Sequence, residues 1–380
     1  MLVAAGLAYG SLYPWVFSVP ANGVGPLQTL LRTAASAPQL GDFLVNIVLY
    51  LPLGFFGVRA MPSRMPVSLQ FMLTLLVGVI LSTGCEILQY YDQGRVSSTG
   101  DIYTNAGGTA LGAVCGLLFR HDFRTPLMQD LQLRPFPALL IVSWLGDRLY
   151  PYIPTTNFHK YLEALRPLLQ PQFTVYNSLR YTVMWLTVGA LLEAVWGEKR
   201  SRWLLPPLAA CVMAAKMVLM GHAISADEIA GIAAGFAIWL VLVDRPVRRR
   251  ALFAILPLLL FVLAWRLQPF AFGAAEHSFG WLPFRSLFYG SVGVNTQNYF
   301  VKVFYYGSLI WFAAEAGLPM WLAGLVVAAF LLGLSGAEMF LPGRSAEVTD
   351  ASMAVIIAFL ASVLASPKRD FIVEGYSRRV

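Results

Sequence analysis

Strongly apolar runs follow one another along the whole chain, separated by short polar stretches. They fall at Leu2–Phe17, Phe43–Arg59, Leu69–Tyr91, Asp101–Phe119, Phe136–Tyr152 and Leu179–Val195. They continue at Trp203–Gly221, Asp227–Val243, Leu252–Leu267, Tyr299–Leu318, Met320–Leu341 and Asp350–Leu364. The runs are continuous rather than alternating, so they predict helices and not the strands of a barrel. A helix of ~20 apolar residues crosses a bilayer, and backbone in lipid has to satisfy its own hydrogen bonds. The predicted fold class is all-α: a polytopic membrane helix bundle of about twelve transmembrane helices. The first run has no basic leader and no evident cleavage site, so it is read as a helix of the mature chain.

Polar punctuation recurs in a fixed order. An aromatic-flanked proline comes first, at Tyr13-Pro14-Trp15, Tyr150-Pro151-Tyr152 and Gln268-Pro269-Phe270. A glycine in an apolar run follows, at Gly54, Gly189 and Gly307. Then come Gly94-Arg95, Gly221-His222 and Gly343-Arg344, and finally Asp101, Asp227 and Asp350. Fixed order at near-fixed spacing marks an internal repeat. The expected organisation is three fused copies of a four-helix module, at 1–120, 135–245 and 251–366.

Composition agrees with a membrane setting. Hydrophobic residues make up 58% and charged residues only 12%, against about 25% charged in a soluble domain. With twelve crossings, the clusters Arg59/Arg64, Arg120/Arg124/Arg134, Lys199/Arg200/Arg202, Arg245/Arg248/Arg249/Arg250 and Lys368/Arg369/Arg378/Arg379 fall on one side. Arg32, Lys160, Arg166 and Arg285 fall on the other. The richer side predicts the cytoplasmic face of a bacterial inner membrane, with both termini inside. The net charge of +7 then reflects topology and anionic lipid. The basic residues are scattered and lack interleaved stacking aromatics, which argues against nucleic acid.

Cys85, Cys115 and Cys211 lie in apolar runs and form neither a disulfide framework nor a metal spacing. The four histidines stand in separate loops. No phosphate loop or nucleophile elbow is present, and no cofactor is expected. Gly108, Gly112 and Gly116, like Gly231 and Gly235, or Ala354 and Ala358, have the spacing of close helix packing.

Candidate chemistry gathers near the outer face. Glu86 and Gln89 share one face of the third helix end, Asp101 and Asn105 one face of the fourth helix start, with Arg95 between them and Asn46 on the second helix. Such a turn suits an anion or a hydroxylated headgroup. It equally suits a structural role, in which Ser98-Thr99-Gly100-Asp101 caps the helix and Arg95 pairs with Asp101 or Glu86. The second copy has Tyr181, Lys216, His222 and Gly231 at corresponding places; the third keeps Arg344 and Asp350 but has Glu338 and Ala354, with Lys302 near its glycine run. One competent copy beside two altered ones is expected, with Arg344 and Asp350 as further candidate ligand-binding residues.

"DFLVNIVLYLPLGFFG" from Asp42, "EILQYYDQGRVSSTGDIYTNAGGTALG" from Glu86 and "FLPGRSAEVTDASM" from Phe340 resemble the VanZ-like membrane domain family. Asn46, Tyr50, Pro52, Gly54, Glu86, Gln89, Gly94, Arg95, Asp101, Asn105 and Gly108 match its motif over roughly residues 1–120. The resemblance implies a four-helix membrane domain; the family's named member is linked to resistance to the glycopeptide teicoplanin, and no established reaction comes with the family. The expected function is a cell-envelope membrane protein whose outward polar site binds a lipid headgroup or a lipid-linked glycan. A membrane enzyme using Glu86 or Asp101 as acid or base, and a transporter, stay open as alternatives. Oligomeric state is not legible here.

Overall fold

A computed structural model describes residues 2–13, 15–20, 24–33, 40–62, 64–92, 97–118, 130, 133–155, 157–273, 278–288 and 292–364. The chain is all-helical, and each predicted apolar run is a helix. In the first segment these are α1 (Leu2–Ser11), α3 (Leu40–Ala60), α4 (Val67–Gln89) and α5 (Thr99–Leu118). In the second they are α6 (Pro135–Leu149), α8 (Val175–Trp196), α9 (Glu198–Val218) and α10 (Ala226–Val243). In the third they are α11 (Val247–Leu267), α13 (Val292–Glu315), α14 (Met320–Glu338) and α15 (Thr349–Leu364).

Three further helices lie in connections read from sequence as loops: α2 (Pro26–Thr33), α7 (Phe158–Leu169) and α12 (Arg285–Phe288). Helices α2 and α7 are short and amphipathic, so a reading of long apolar runs passes over them, and α12 is a single turn. Helices α9 and α13 start well before the expected Trp203 and Tyr299, because polar first turns hide from a reading of apolar runs. Conversely, α1 and α6 stop at Ser11 and Leu149 rather than running to Phe17 and Tyr152. A proline disfavours helical backbone in the residue before it.

Helices α4, α10, α11 and α14 are each long and apolar enough to cross a membrane. Burial along α4 is inverted relative to a soluble protein. Its inward stripe is Gln70, Thr74, Gly78, Ser82, Cys85 and Glu86, while Leu69, Met72, Leu76, Val77 and Ile80 face outward. An exposed apolar face of that extent needs an apolar solvent.

One closure device appears in all three segments. The aromatic after each proline takes left-handed backbone: Trp15 at φ 66°, Tyr152 and Phe270 at φ 62°. Its N–H bonds back to a leucine carbonyl, from Trp15 to Leu12 (2.9 Å), Tyr152 to Leu149 (2.9 Å) and Phe270 to Leu267 (2.8 Å). Bulky residues adopt this conformation at a cost of about 1–3 kcal/mol each. It reverses the chain so that three residues further on a backbone N–H reaches the end of the third long helix of the segment. Those bonds run from Ser18 to Tyr91 O (2.7 Å), Thr155 to Val218 O (2.9 Å) and Gly273 to Phe340 O (2.9 Å). Each lies at the same offset from its own proline and its own glycine.

The chain forms two compact units, residues 1–124 and 125–380. In the first, α3 and α5 are in backbone contact. A Cβ on Gly112 would lie 1.9 Å from Leu51 O, one on Gly108 2.4 Å from Ile47 O, and one on Gly54 2.0 Å from Thr109 O. In the second unit Gly231 meets Tyr181 of α8 in the same way, with its Cβ position 2.3 Å from Tyr181 Cβ. Ala358 instead packs against Gly324 of α14, since an alanine methyl blocks the closer approach. No break separates the second and third segments. They exchange helices, α6 packing on α13 and α11 on α8, around Trp144, Trp185, Leu258, Tyr306 and Leu309.

Candidate functional site

The closure device brings three chain ends together in each segment: the end of the first long helix, the end of the third, and the start of the fourth. In the first segment the described residues of this locus are the carboxylates of Glu86, Asp92 and Asp101 among amides and hydroxyls. Gln89 Nε2 donates to Ser11 O at 2.7 Å, tying α4 to α1. The Glu86 carboxylate is buried, and its Oε2 accepts the Ser98 N–H at 2.8 Å, while Ser97 Oγ donates to the Glu86 carbonyl at 2.6 Å. Asn46 Nδ2 donates to Asp101 Oδ1 at 2.9 Å. Asn105 Nδ2 donates to Ser82 Oγ at 2.9 Å. Ser98 Oγ accepts from Gly100 N–H at 3.1 Å, so the expected helix cap exists. Gly94 and Arg95 lie outside the described residues.

Among the described residues of this segment, four buried side-chain oxygens have no hydrogen-bond partner within 3.5 Å: Tyr50 Oη, Asn105 Oδ1 and Asp92 Oδ2 at this end, and Thr74 Oγ1 further along α4. Tyr50 is one turn along α3 from Asn46, against Cys85, Ser82 and Glu86. Asp92 uses its other oxygen on the Val16 N–H at 3.0 Å. A buried polar atom left unsatisfied costs about 1–3 kcal/mol, and native proteins hold few of them.

In the second segment the same locus is an ion triad. Glu228 is fully buried and pairs with Arg148 of α6 and Lys216 of α9. Arg148 precedes its proline by the offset of Ser11, and Lys216 precedes its glycine by the offset of Gln89. Asp227 accepts from Thr174 N–H at 3.2 Å and from Ser178 Oγ. In the third segment Arg266 pairs with Glu338 and Asp350, and donates to Tyr306 Oη at 2.7 Å. Lys302 Nζ adds an ion pair to Asp350 at 2.7 Å. The last helix's aspartate thus bonds the second long helix in every segment, through Asn46, Ser178 and Lys302. Arg344 donates to the Gln268 and Trp265 carbonyls, both at 3.0 Å, and so closes the end of α11. His222, in the turn that carries arginine elsewhere, has its imidazole held below the usual histidine range by burial and then by the charge of Lys216.

Residues 8–120 match the VanZ/LLP1 family model. The first unit is VanZ-like. No curated protein and no solved structure matches the chain. The matched residues hold the first of these loci, and the VanZ-like segment brings Asn46 to Asp101, Glu86 to Ser98 and Asn105 to Ser82. It sends Gln89 to α1 rather than toward Asp101. Ser82 and Asp92 were missed by the sequence reading, as were Arg148, Glu228 and Arg266. Arg148 and Arg266 were findable, since both stand three residues before a repeat proline. Glu228 was masked by its setting, because Ser225-Ala-Asp-Glu228 reads as a capping box. Ser225 does cap α10, accepting from Glu228 N–H at 3.2 Å, but the Glu228 carboxylate turns to the two cations.

Proposed function

We propose that the VanZ-like segment is a binding module of the bacterial cell envelope, taking a hydroxylated lipid headgroup or the glycan end of a lipid-linked saccharide. The observation that carries this is the set of unpartnered buried oxygens on Tyr50, Asn105 and Asp92, beside the Glu86 carboxylate. All are acceptors or hydroxyls, so a ligand rich in O–H donors complements them. The corresponding loci of the other segments are occupied by their own ion pairs, which supports one working site in a chain of three related modules. The recurring backbone closure supports descent of the three from one module. In this reading both termini are cytoplasmic and the site faces outward, on the strength of the basic loops.

The test uses the full chain in detergent and a short-chain lipid-linked disaccharide, with a short-chain phospholipid in parallel. Tyr50→Phe is expected to weaken binding by about tenfold, or 1.4 kcal/mol, with little change in melting temperature, since it removes one oxygen; Asn105→Ala is expected to weaken binding as much and also to lower the melting temperature, since it removes the Nδ2 bond to Ser82 as well. Unchanged binding of both probes by both variants would overturn the site. So would lowered melting temperatures with unchanged binding, which would make these oxygens structural.

A further inference from the structure

The second unit holds a cavity of about 180 Å³ where α6, α8, α11 and α13 meet. Its polar lining is unusual. Asp147 comes from α6 and Arg180 from α8, and both face the space, yet neither has an ion-pair partner within 4.0 Å among the described residues. Asp147 accepts one bond, from Gln297 Nε2 at 3.2 Å. Arg180 lies over the Tyr181 ring, 5.8 Å from its centroid, and its guanidinium hydrogen-bonds the Tyr305 hydroxyl. The nearby cations Arg148 and Arg266 behave differently, each spent on buried carboxylates. The remaining wall is aromatic. Trp265 of α11 and Tyr305 of α13 line the cavity, their ring centroids 5.8 Å apart.

We propose that this cavity binds a zwitterionic phosphate–ammonium headgroup. Two opposite charges that share a cavity without pairing are best matched by a ligand carrying both signs. The guanidinium of Arg180 offers a planar fork to a phosphate. The Asp147 carboxylate and the faces of Trp265 and Tyr305 attract an ammonium group. A purely anionic headgroup would meet Asp147 as a like charge, and a neutral sugar would engage neither charge with a charge of its own. The helices around the cavity are those through which the second and third segments interlock, so a bound headgroup would bridge the two. This site is separate from the VanZ-like one and does not depend on its reading.

Calorimetric titration of the full chain in detergent tests the proposal. The probes are dihexanoyl phosphatidylethanolamine, dihexanoyl phosphatidylglycerol and soluble phosphoethanolamine. Phosphatidylethanolamine is expected to bind about tenfold tighter than phosphatidylglycerol. Asp147→Asn should erase that preference by weakening only the zwitterion, and Arg180→Gln should weaken both lipids. Soluble phosphoethanolamine binding as tightly as the lipid would support the site and assign it a water-soluble ligand; weaker binding would assign it to lipid. Equal affinity for the two lipids in the unmodified protein would overturn the proposal, as would a preference that survives Asp147→Asn and Arg180→Gln alike.

Discussion

The first and second segments place different chemistry on the same backbone frame. In the second, Glu228 neutralises Arg148 and Lys216 with no exposure to solvent. In the first, the matching positions are Ser11 and Gln89, joined by one hydrogen bond from the Gln89 amide to the Ser11 carbonyl, and the oxygens of Tyr50 and Asn105 find no partner among the described residues. Buried charges tolerate no deletion, because removing one strands the others. Neutral amides and hydroxyls leave acceptors to spare. The comparison teaches that a locus can serve as a lock or as a site depending on whether buried ion pairs already join its helices.

The sharpest way to break this comparison is Glu228→Ala. It leaves Arg148 and Lys216 buried without a counter-charge and should lower stability by about 3–5 kcal/mol, read as thermal unfolding in detergent. Replacing all three by Met, Met and Leu should recover most of the loss, since a buried ion pair often exchanges for apolar packing at little cost. A single variant as stable as the parent would show that the triad is no lock.

A smaller effect is expected at the helix contacts. Gly112→Ala puts a methyl 1.9 Å from Leu51 O, so α3 and α5 have to separate, at about 1–3 kcal/mol. Ala358→Gly should cost less than about 1 kcal/mol, the helix propensity of glycine alone. Equal losses at the two sites would mean that the segments pack alike after all.

The smallest effect concerns the turns. His222 has a folded-state pKa below its unfolded value, so the unfolded chain binds its proton more readily. Stability should therefore fall as pH drops below about 6.5, and His222→Gln should flatten that slope between pH 5 and 7.5. A slope unchanged by the substitution would remove His222 from the account.

Much of the frame was legible from hydropathy alone, because lipid-spanning helices announce themselves by length. Their ends were not. The polar first turns of α9 and α13 look like loop, and the aromatics around each proline look like more helix. The site was half legible. Motif spacing found Asn46, Glu86, Asp101 and Asn105, whose partners lie on other helices. It could not foresee that Gln89 turns to Ser11, or that Asp350 is already held by Arg266 and Lys302. A spacing gives the face a side chain occupies, while the partner it finds is decided by packing between helices.

The backbone bond from beyond each proline to the end of the third long helix has a consequence for how such a chain is assembled. Ser18 with Tyr91, Thr155 with Val218 and Gly273 with Phe340 are all internal to their own segment. Each joins residues that are synthesised before the last long helix of their segment. In order of synthesis these crossbars therefore precede the contacts by which the second and third segments exchange helices. What ties a segment to itself is made ahead of what ties it to its neighbour.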